Sequence, residues 1–192
     1  MNQFNELPPS SYYAQIREWI DETFDKSTKH KFFQQFYSDE TILFPKPKGV
    51  DPVRWNLKSI YRKPFVAIIP NGRIWSNSHI GGVITPNNKL IRDVVFPGWW
   101  KDFFNEQKMP PLSISEETIA VLSCGQVNNY YHWFLDILPR IHLLNNSGLQ
   151  INKFLTEKIQ DCYKMETLLR LGIKKDQILQ INSERFHLKA KK

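Results

Sequence analysis

The residues best suited to chemistry lie in one short stretch, NNYYHWFLDILPR, at positions 128–140. The stretch is hydrophobic enough to be core, yet it contains two Asn, a His, an Asp and an Arg. His132 and Asp136 are four residues apart, so on a helix their side chains lie within hydrogen-bonding reach. Transfer of a group onto a hydroxyl needs a base to take its proton, and an imidazole paired with a carboxylate suits that task. No Ser or Cys lies nearby in a nucleophile elbow, so acyl-enzyme chemistry is not supported.

A helical wheel gathers the polar residues of this stretch into one stripe. With His132 at 0° and about 100° per residue, Asp136 falls at about 40°, Asn129 at about 60° and Arg140 at about 80°. The apolar residues Tyr130, Phe134, Ile137, Leu138, Ile141 and Leu144, flanked by Tyr131, Trp133 and Leu135, cover more than half of the surface. We expect them to be buried. The stripe lacks the Lys and Glu of an ordinary solvated face, so we interpret it as a cleft edge. A structural His–Asp pair and a plain surface stripe are the alternatives.

Three neighbours of the His132–Asp136 pair, called the dyad below, refine this prediction. Asn128 is a good N-cap for the helix. Pro139 has no N–H for the carbonyl of Leu135, so we expect a kink there. Arg140 is placed either to form a salt bridge with Asp136 or to meet an anion.

The sequence predicts no metal site and no disulfide. Ligation by His132, Asp136 and His142 is weakly supported, because His142 falls at about 280°, off the stripe. The two cysteines, Cys124 and Cys162, form no CxxC motif and no cluster with histidine, and we expect both to be buried thiols. His30 and His187 are expected at the surface.

Residues 118–181 alternate between strand and helix patterns. TIAVLSC, KFLT and DQILQI have the composition of strands, and the first reads as a strand buried on both faces. Helices are predicted at about 129–145 and over EKIQDCYKMETLLRLG, where Gly172 suits a C-cap. This order predicts βαβ units and a parallel sheet. The helix at 129–145 follows the first strand across a turn at Gly125. Its N-terminus is therefore expected at the carboxyl edge of the sheet, where ligands bind.

The upstream residues predict a second, antiparallel region. Asn71-Gly72 between FVAIIP and RIWSN is a strong hairpin signal, and a turn at 86–88 separates two further strands, so 65–96 is expected to be a meander. The pair Gly81-Gly82 suggests a bulge or a close contact. Residues 12–37 are predicted to be helix whose aromatic face docks on the rest of the chain, and 45–64 is predicted to be an irregular connector.

Composition narrows the functional class. The chain has 192 residues with 41% hydrophobic residues and a net charge of +7. The basic residues are scattered and match no nucleic-acid-binding pattern, so no nucleic-acid partner is expected. The charge fits a mild attraction to anionic membrane surfaces or to phosphate groups. No apolar run approaches the roughly 20 residues that cross a bilayer, and the N-terminus does not read as a secretory signal. We therefore expect a cytoplasmic protein, at most peripheral at the inner membrane face.

The stretch at 128–140 resembles the signature of glycosyltransferase family 61, whose bacterial members often accompany capsular-polysaccharide genes. The family pattern N-Y-x-H-W-x-x-D-x-L-P-R is matched by Asn129, Tyr130, His132, Trp133, Asp136, Leu138, Pro139 and Arg140. The flanking sequence is similar to the family as well. It comprises NGRIWS…GGVITPNNKLIRDVVF before the motif and LLRLGIKKDQILQI after it. The resemblance covers roughly residues 65–187.

The resemblance implies an α/β fold: a Rossmann-like lobe of a GT-B-type glycosyltransferase, with a preceding antiparallel β-meander and N-terminal helices. The implied activity is transfer of a sugar from a nucleotide-sugar donor to a glycan hydroxyl, with inversion and without a cofactor, in polysaccharide biosynthesis. Asp136 becomes the base, with His132 as its partner. The implied substrate-binding residues are Asn129, Tyr131, Trp133 and Arg140.

The domain organisation expected from these patterns is a helical and irregular leader at 1–64 and an acceptor-side lobe at 65–192. Family members continue into a donor lobe, whereas this sequence stops at Lys192. We therefore expect a half-enzyme that is inactive alone and that a separate chain could complete. The expected partners are a nucleotide-sugar and a glycan acceptor. The alternatives are a non-catalytic module that binds glycan or a partner chain, and an unrelated α/β protein.

Overall fold

The computed structural model describes residues 7–37, 63–77, 81–95, 100–105, 108–122, 129–182 and 185–191. Its strands are β1 Ser11–Tyr13, β2 Phe33–Gln35, β3 Phe65–Ala67, β4 Arg73–Asn77, β5 Gly81–Ile84, β6 Lys89–Ile91, β7 Ser113–Ser115, β8 Ile119–Val121, β9 Lys153–Glu157, β10 Ile178–Ile181 and β11 Arg185–Ala190. Its helices are α1 Ile16–Thr23, α2 Tyr130–His132, a π-helical turn Trp133–Ile137, α3 Leu138–Asn146 and α4 Cys162–Arg170. Short 3₁₀ turns lie at Lys29–Lys31, Arg92–Val94, Trp100–Asn105 and Lys175–Gln177.

A parallel sheet in the order β10–β9–β8 contains the predicted βαβ units. One face packs on the helices, through Ala120, Leu122, Trp133, Ile137, Ile141, Phe154, Leu168 and Ile173. The other face packs on a second sheet, through Ile119, Leu155 and Ile181 against Ile74, Leu188 and Ala190. Because both faces are covered, the central residues of β8 and β9 are apolar on both sides of the sheet, as in Ile119, Ala120, Phe154 and Leu155. The predicted order of strands and helices in 118–181 is confirmed.

The second sheet has six strands in the order β1–β6–β5–β4–β11–β7. Strands β4, β5 and β6 are antiparallel neighbours, which confirms the core of the predicted meander. The turn between β5 and β6 closes where the N–H of Asn88 donates to the carbonyl of Thr85 at 2.9 Å. Asn88 lies in the left-handed region at φ 62°, which Asn tolerates better than most residues. Gly82 confirms the close contact, since a Cβ there would lie 2.7 Å from the ring of Phe103.

The predicted hairpin at Asn71-Gly72 is wrong. Asn71 does turn the chain, with φ 58°, but β3 pairs with β2 in a separate two-stranded sheet. The neighbour of β4 on that side is β11, in antiparallel register. A turn signal reports only that the chain reverses locally, whereas a hairpin also needs the two flanking strands to be each other's best partners.

The N-terminal segment is less helical than predicted. The described part contains one α-helix, α1, and one 3₁₀ turn, with a strand on either side. The docking of its aromatic face is confirmed, because Trp19 is 2% exposed and packs with Ile16, Ile20 and Ile91. Strand β1 pairs with β6 and β2 pairs with β3, so the segment shares sheets with the rest of the chain. The predicted connector at 45–64 lies outside the described residues up to residue 62.

The described residues thus form a mixed α/β fold in layers: helices, a parallel sheet, then a largely antiparallel sheet. The parallel sheet has helices on one face, whereas a doubly wound Rossmann fold has them on both. None of the helices in the described part of the chain is long and apolar enough to cross a bilayer.

Two predictions about single residues are wrong. Cys162 is exposed at the first position of α4 rather than buried, while Cys124 lies outside the described residues. His187 is 2% exposed in β11, where Nδ1 lies 3.0 Å from the carbonyl of Pro110, while His30 is exposed as predicted. The burial of His187 could not be assigned from local pattern, because β11 is buried through its pairing with β4 and β7.

Candidate functional site

The candidate site lies at the start of the composite helix formed by α2, the π turn and α3. Asn129 has extended backbone angles, and its Oδ1 accepts a hydrogen bond from the N–H of Tyr131 at 2.9 Å. Asn129 is therefore the N-cap, one residue later than predicted, while Asn128 lies outside the described residues. The amide of Asn129 is used within the helix, and the helix begins on the carboxyl side of β8 as predicted.

The composite helix is interrupted one turn before Pro139. Residues Trp133–Ile137 form a π turn in which the N–H of Leu138 donates to the carbonyl of Trp133. Pro139 offers no N–H to the carbonyl of Leu135, so regular α-helical bonding cannot continue through this point. A π turn accommodates such a break, and π turns are frequent at functional sites. The sequence predicted the break at the right place, although as a kink rather than as a π turn.

His132 and Asp136 form the predicted pair. Nδ1 of His132 lies 2.5 Å from Oδ2 of Asp136, and the two side chains are 32% and 49% exposed. The pair is thus accessible and spans the junction between α2 and the π turn. When a neutral imidazole donates from Nδ1 to a carboxylate, its lone pair is on Nε2. The contact with the carboxylate therefore fixes the orientation of the imidazole ring.

Arg140 does not contact the carboxylate of Asp136. Its Nε donates to the backbone carbonyl of Asp136 at 3.0 Å, and its Nη1 donates to the carbonyl of Leu122 at 2.9 Å. Leu122 immediately follows β8 and is fully buried. Arg140 therefore ties the backbone beneath the dyad to the carboxyl end of the sheet. The predicted salt bridge to the carboxylate of Asp136 is therefore not formed, while the anion-binding role of Arg140 stays a prediction.

Trp133 is in the core and not in a cleft, which corrects its assignment as a substrate-binding residue. Its side chain is 1% exposed, and its Nε1 donates to Oγ1 of Thr167 at 2.9 Å. Thr167 in turn donates to the carbonyl of Tyr163 at 2.8 Å. The indole thereby joins the composite helix to α4. On the helical wheel Trp133 lies at the border of the apolar face. Its indole is buried in the structure because α4 packs against it.

Several apolar residues of the first helical turns are exposed, contrary to prediction. The exposed fractions are 63% for Tyr130, 62% for Tyr131 and 57% for Leu135. The ring of Tyr131 packs edge-on against the imidazole of His132, with centroids 5.5 Å apart. Tyr131, predicted to bind substrate, is therefore beside the dyad and accessible. The predicted burial of more than half of the helix surface is wrong at this end.

Sequence reasoning missed residues at the start of α4. Lys164 is 2% exposed, and its Nζ lies 3.0 Å from Oδ2 of Asp161 and 5.8 Å from the ring centres of both Trp133 and Tyr163. A signal was present: α4 follows β9 as the composite helix follows β8. In a parallel sheet the N-termini of both helices therefore lie at the same carboxyl edge.

Two other features lie away from the dyad. His142 bonds through Nε2 to the Tyr37 hydroxyl at 3.0 Å and to the Asn146 amide at 2.9 Å, and no metal-ligand cluster occurs within the described ranges. A groove of about 190 Å³ lies at the opposite end of the helices, lined by Leu144, Leu171 and Gly172 among others. Neither feature contributes to the candidate site.

Comparison with family models, with curated proteins and with solved structures gave no match to this chain. The resemblance to glycosyltransferase family 61 therefore depends on the motif residues themselves. The functional conclusion depends on the geometry of the His132–Asp136 pair and of its surroundings.

Proposed function

We propose that this chain is the acceptor-side half of an inverting glycosyltransferase of polysaccharide biosynthesis. The observation that carries the proposal is the 2.5 Å contact between His132 and Asp136, accessible at the first turns of a helix that follows a parallel strand. The family 61 motif across Asn129–Arg140 supports the same reaction class. The substrates are a nucleotide-sugar donor and the hydroxyl group of a glycan acceptor.

The proposed step moves one proton and one glycosyl group. The acceptor hydroxyl gives its proton to Nε2 of His132 while its oxygen attacks the anomeric carbon of the donor sugar. The bond from that carbon to the phosphate oxygen breaks on the opposite face, and its electron pair leaves with the nucleoside diphosphate. Attack opposite to the leaving group inverts the anomeric centre. The carboxylate of Asp136 stabilises the imidazolium that forms.

The roles of the two residues are the reverse of those implied by the resemblance. Nδ1 of His132 lies 2.5 Å from Oδ2 of Asp136, and a neutral ring that donates through Nδ1 has its acceptor nitrogen at Nε2. Imidazole is also the side chain whose unperturbed protonation equilibrium lies closest to neutrality. These two facts support His132 as the base and Asp136 as the residue that orients it.

The donor is proposed to bind on a second lobe that packs against the dyad side of these residues. The sequence contains no GxGxxG and no GxxxxGK[ST] loop that would hold the phosphates of a nucleotide. The dyad itself is about one-third to one-half exposed, so it is open to a partner on that side. The net charge of +7 on this chain favours the approach of an anionic nucleotide-sugar to it.

The first test uses the chain alone and the histidine signals of its NMR spectrum. Titration with neutral oligosaccharides is expected to shift the ring signals of His132. The exposed His30 and the buried His187 serve as matched controls in the same molecule. If His132 and both controls respond equally, or if His132 does not respond at all, the proposal fails.

The second test measures transfer from a panel of UDP- and GDP-activated sugars. The chain is assayed alone and together with the protein encoded immediately downstream of it. Transfer is expected only in the combined sample, with His132→Gln lowering the rate by about 10²–10⁴-fold and Asp136→Asn by less. The larger loss in Asp136→Asn would make Asp136 the base. Transfer by the chain alone would refute the half-enzyme proposal.

A second candidate function is a non-catalytic module that binds a glycan or a partner chain. The observation that favours it is the open position of the dyad beside the exposed ring of Tyr131. Under this alternative, His132→Gln leaves transfer by the combined sample unchanged and affects only saccharide binding.

A further inference from the structure

A cluster of three aromatic rings bridges the N-terminal ends of the composite helix and α4. The ring centre of Tyr130 lies 4.6 Å from that of Phe134 and 5.2 Å from that of Tyr163. Phe134 and Tyr163 are nearly parallel, at 19° and 6.0 Å. Tyr130 is 63% exposed, while the other two are half-buried. The cluster therefore presents aromatic faces to solvent at the same edge of the sheet as the dyad.

A carboxylate of fixed position lies beside these rings. Asp161 is 46% exposed, and its Oδ2 bonds to Nζ of Lys164, whose side chain is 3% exposed. A buried cation in the first turn of a helix opposes the helix dipole, so its placement needs compensation. Asp161 supplies the opposite charge, and the rings of Trp133 and Tyr163 lie within cation–π distance. The buried ammonium group of Lys164 already balances the charge of Asp161. On its solvent-exposed side, the carboxylate of Asp161 therefore suits neutral hydroxyl donors rather than a second cation.

The phenol of Tyr163 completes this set of groups. Partial burial, the charge of Asp161 and the neighbouring Tyr130 raise the pKa of Tyr163, so its hydroxyl stays protonated. Within the described part of the chain, no hydrogen bond to this hydroxyl is found. The cluster thus combines flat apolar faces, a protonated hydroxyl and a carboxylate. If these rings served only to cover the hydrophobic core, the apolar faces would suffice and the hydroxyl and carboxylate would not be needed.

We propose that Tyr130, Tyr163 and Asp161 form a subsite for a neutral saccharide ring. An aromatic face packs on the C–H groups of a sugar, while the carboxylate and the phenol pair with its hydroxyls. Tyr130 and His132 lie on different sides of one helical turn, and a helix with its side chains is about 10–12 Å wide. A single sugar ring is too short to reach both. The acceptor is therefore an oligosaccharide with one sugar on the rings and the reacting sugar at the dyad, a ligand assignment that rests on the proposed function.

The test is a titration of the full chain with maltose, cellobiose and N,N′-diacetylchitobiose, followed through the tyrosine ring signals. At least one of these is expected to shift the signals of Tyr130 and Tyr163. Tyr12 is the internal control, because it is 40% exposed and also pairs with an aromatic ring, Phe104. Equal shifts for Tyr12, or no shift at Tyr130 and Tyr163 with any of the three sugars, would overturn the proposal.

Variants separate binding from folding. Tyr130→Leu keeps apolar cover at an exposed position and is expected to weaken binding roughly five- to tenfold, as the loss of one ring contact. Asp161→Asn is expected to weaken binding by a similar factor, and Tyr12→Leu to leave it unchanged. Thermal melting of each variant reports whether it folds. Folded Tyr130→Leu with unchanged affinity would overturn the subsite.

The outcome for the subsite is distinguishable from the outcome for the proposed function. Normal binding at Tyr130 and Tyr163, with transfer unaffected by His132→Gln, would leave the subsite and remove the function. Transfer that depends on His132 while Tyr130→Leu leaves acceptor affinity unchanged would leave the function and remove the subsite.

Discussion

The hydrogen bond between Trp133 and Thr167 offers the sharpest test of how the site is held. The indole N–H donates to Oγ1 of Thr167 at 2.9 Å from a side chain that is 1% exposed. Thr167→Val keeps the shape of the side chain but removes the acceptor, so a buried N–H is left without a partner. Such a loss costs about 1–3 kcal/mol of the free energy of unfolding. For a chain of this size, each 1 kcal/mol lowers Tm by roughly 2–4 °C.

A double-mutant cycle isolates the contact itself. Trp133→Phe removes the donor and part of the buried ring, and we expect it to cost about 2–3 kcal/mol. Once Trp133 is Phe, Thr167→Val no longer leaves a buried N–H unpaired, so its additional cost falls. The expected coupling energy between the two sites is about 1 kcal/mol. Urea unfolding followed by circular dichroism measures all four proteins, and Thr167→Ser, which keeps the hydroxyl, is the matched control.

Two results would refute this reasoning. A cost of less than about 0.5 kcal/mol for Thr167→Val would mean that the indole N–H has another partner or reaches water. A Trp133→Phe protein that unfolds like the parent but binds saccharide more weakly would return Trp133 to the substrate-binding role suggested by the motif.

Three further predictions follow from the same structure. Arg140→Ala should lower the free energy of unfolding by about 1–3 kcal/mol, because a fully buried carbonyl loses its donor, whereas Arg170→Ala removes an exposed ion pair and should cost under about 0.5 kcal/mol in the same urea assay. Gly82→Ala should cost about 1–3 kcal/mol in thermal melts, because its Cβ would meet the ring of Phe103 at 2.7 Å, and near-parental stability would show that this core can relax. The raised pKa of Tyr163 means that the folded state favours the neutral phenol, so the contribution of Tyr163 to the free energy of unfolding is complete below its ordinary pKa of 10.0 and is lost as the pH rises above that value. Tyr163→Phe should therefore make the fall in Tm at alkaline pH shallower. Identical pH profiles of Tm for the variant and the parent would contradict this.

The sequence was sufficient where structure depends on neighbours along the chain. The His132–Asp136 contact follows from i,i+4 spacing, and the break near Pro139 follows from its missing N–H. Gly172 follows α4 at φ 87°, a conformation that glycine adopts without steric cost. Each of these features is decided by bonds within about one turn of backbone, so residue type and spacing carry the information.

Features that depend on distant partners could not be read in this way. Strand β11 pairs with β4, more than a hundred residues earlier, and this pairing decides that His187 is buried and that no hairpin forms at Asn71. Within the site, Arg140 reaches the carbonyl of Leu122 and so acts on the sheet rather than on Asp136. Such contacts leave no periodic signal in the sequence, because the partners are far apart along the chain and no particular separation between them is required.

The sequence by itself determined a helix after a buried strand, with an imidazole and a carboxylate on one of its edges, because periodicity and i,i+4 spacing are local properties of the chain. Only the tertiary structure decided which side chains of that helix face the core. It turned Trp133 inward against Thr167 on α4 and left Tyr130 and Tyr131 more than half exposed. It also brought Tyr163 and Asp161 to the same edge, since both helices begin at the carboxyl ends of adjacent parallel strands.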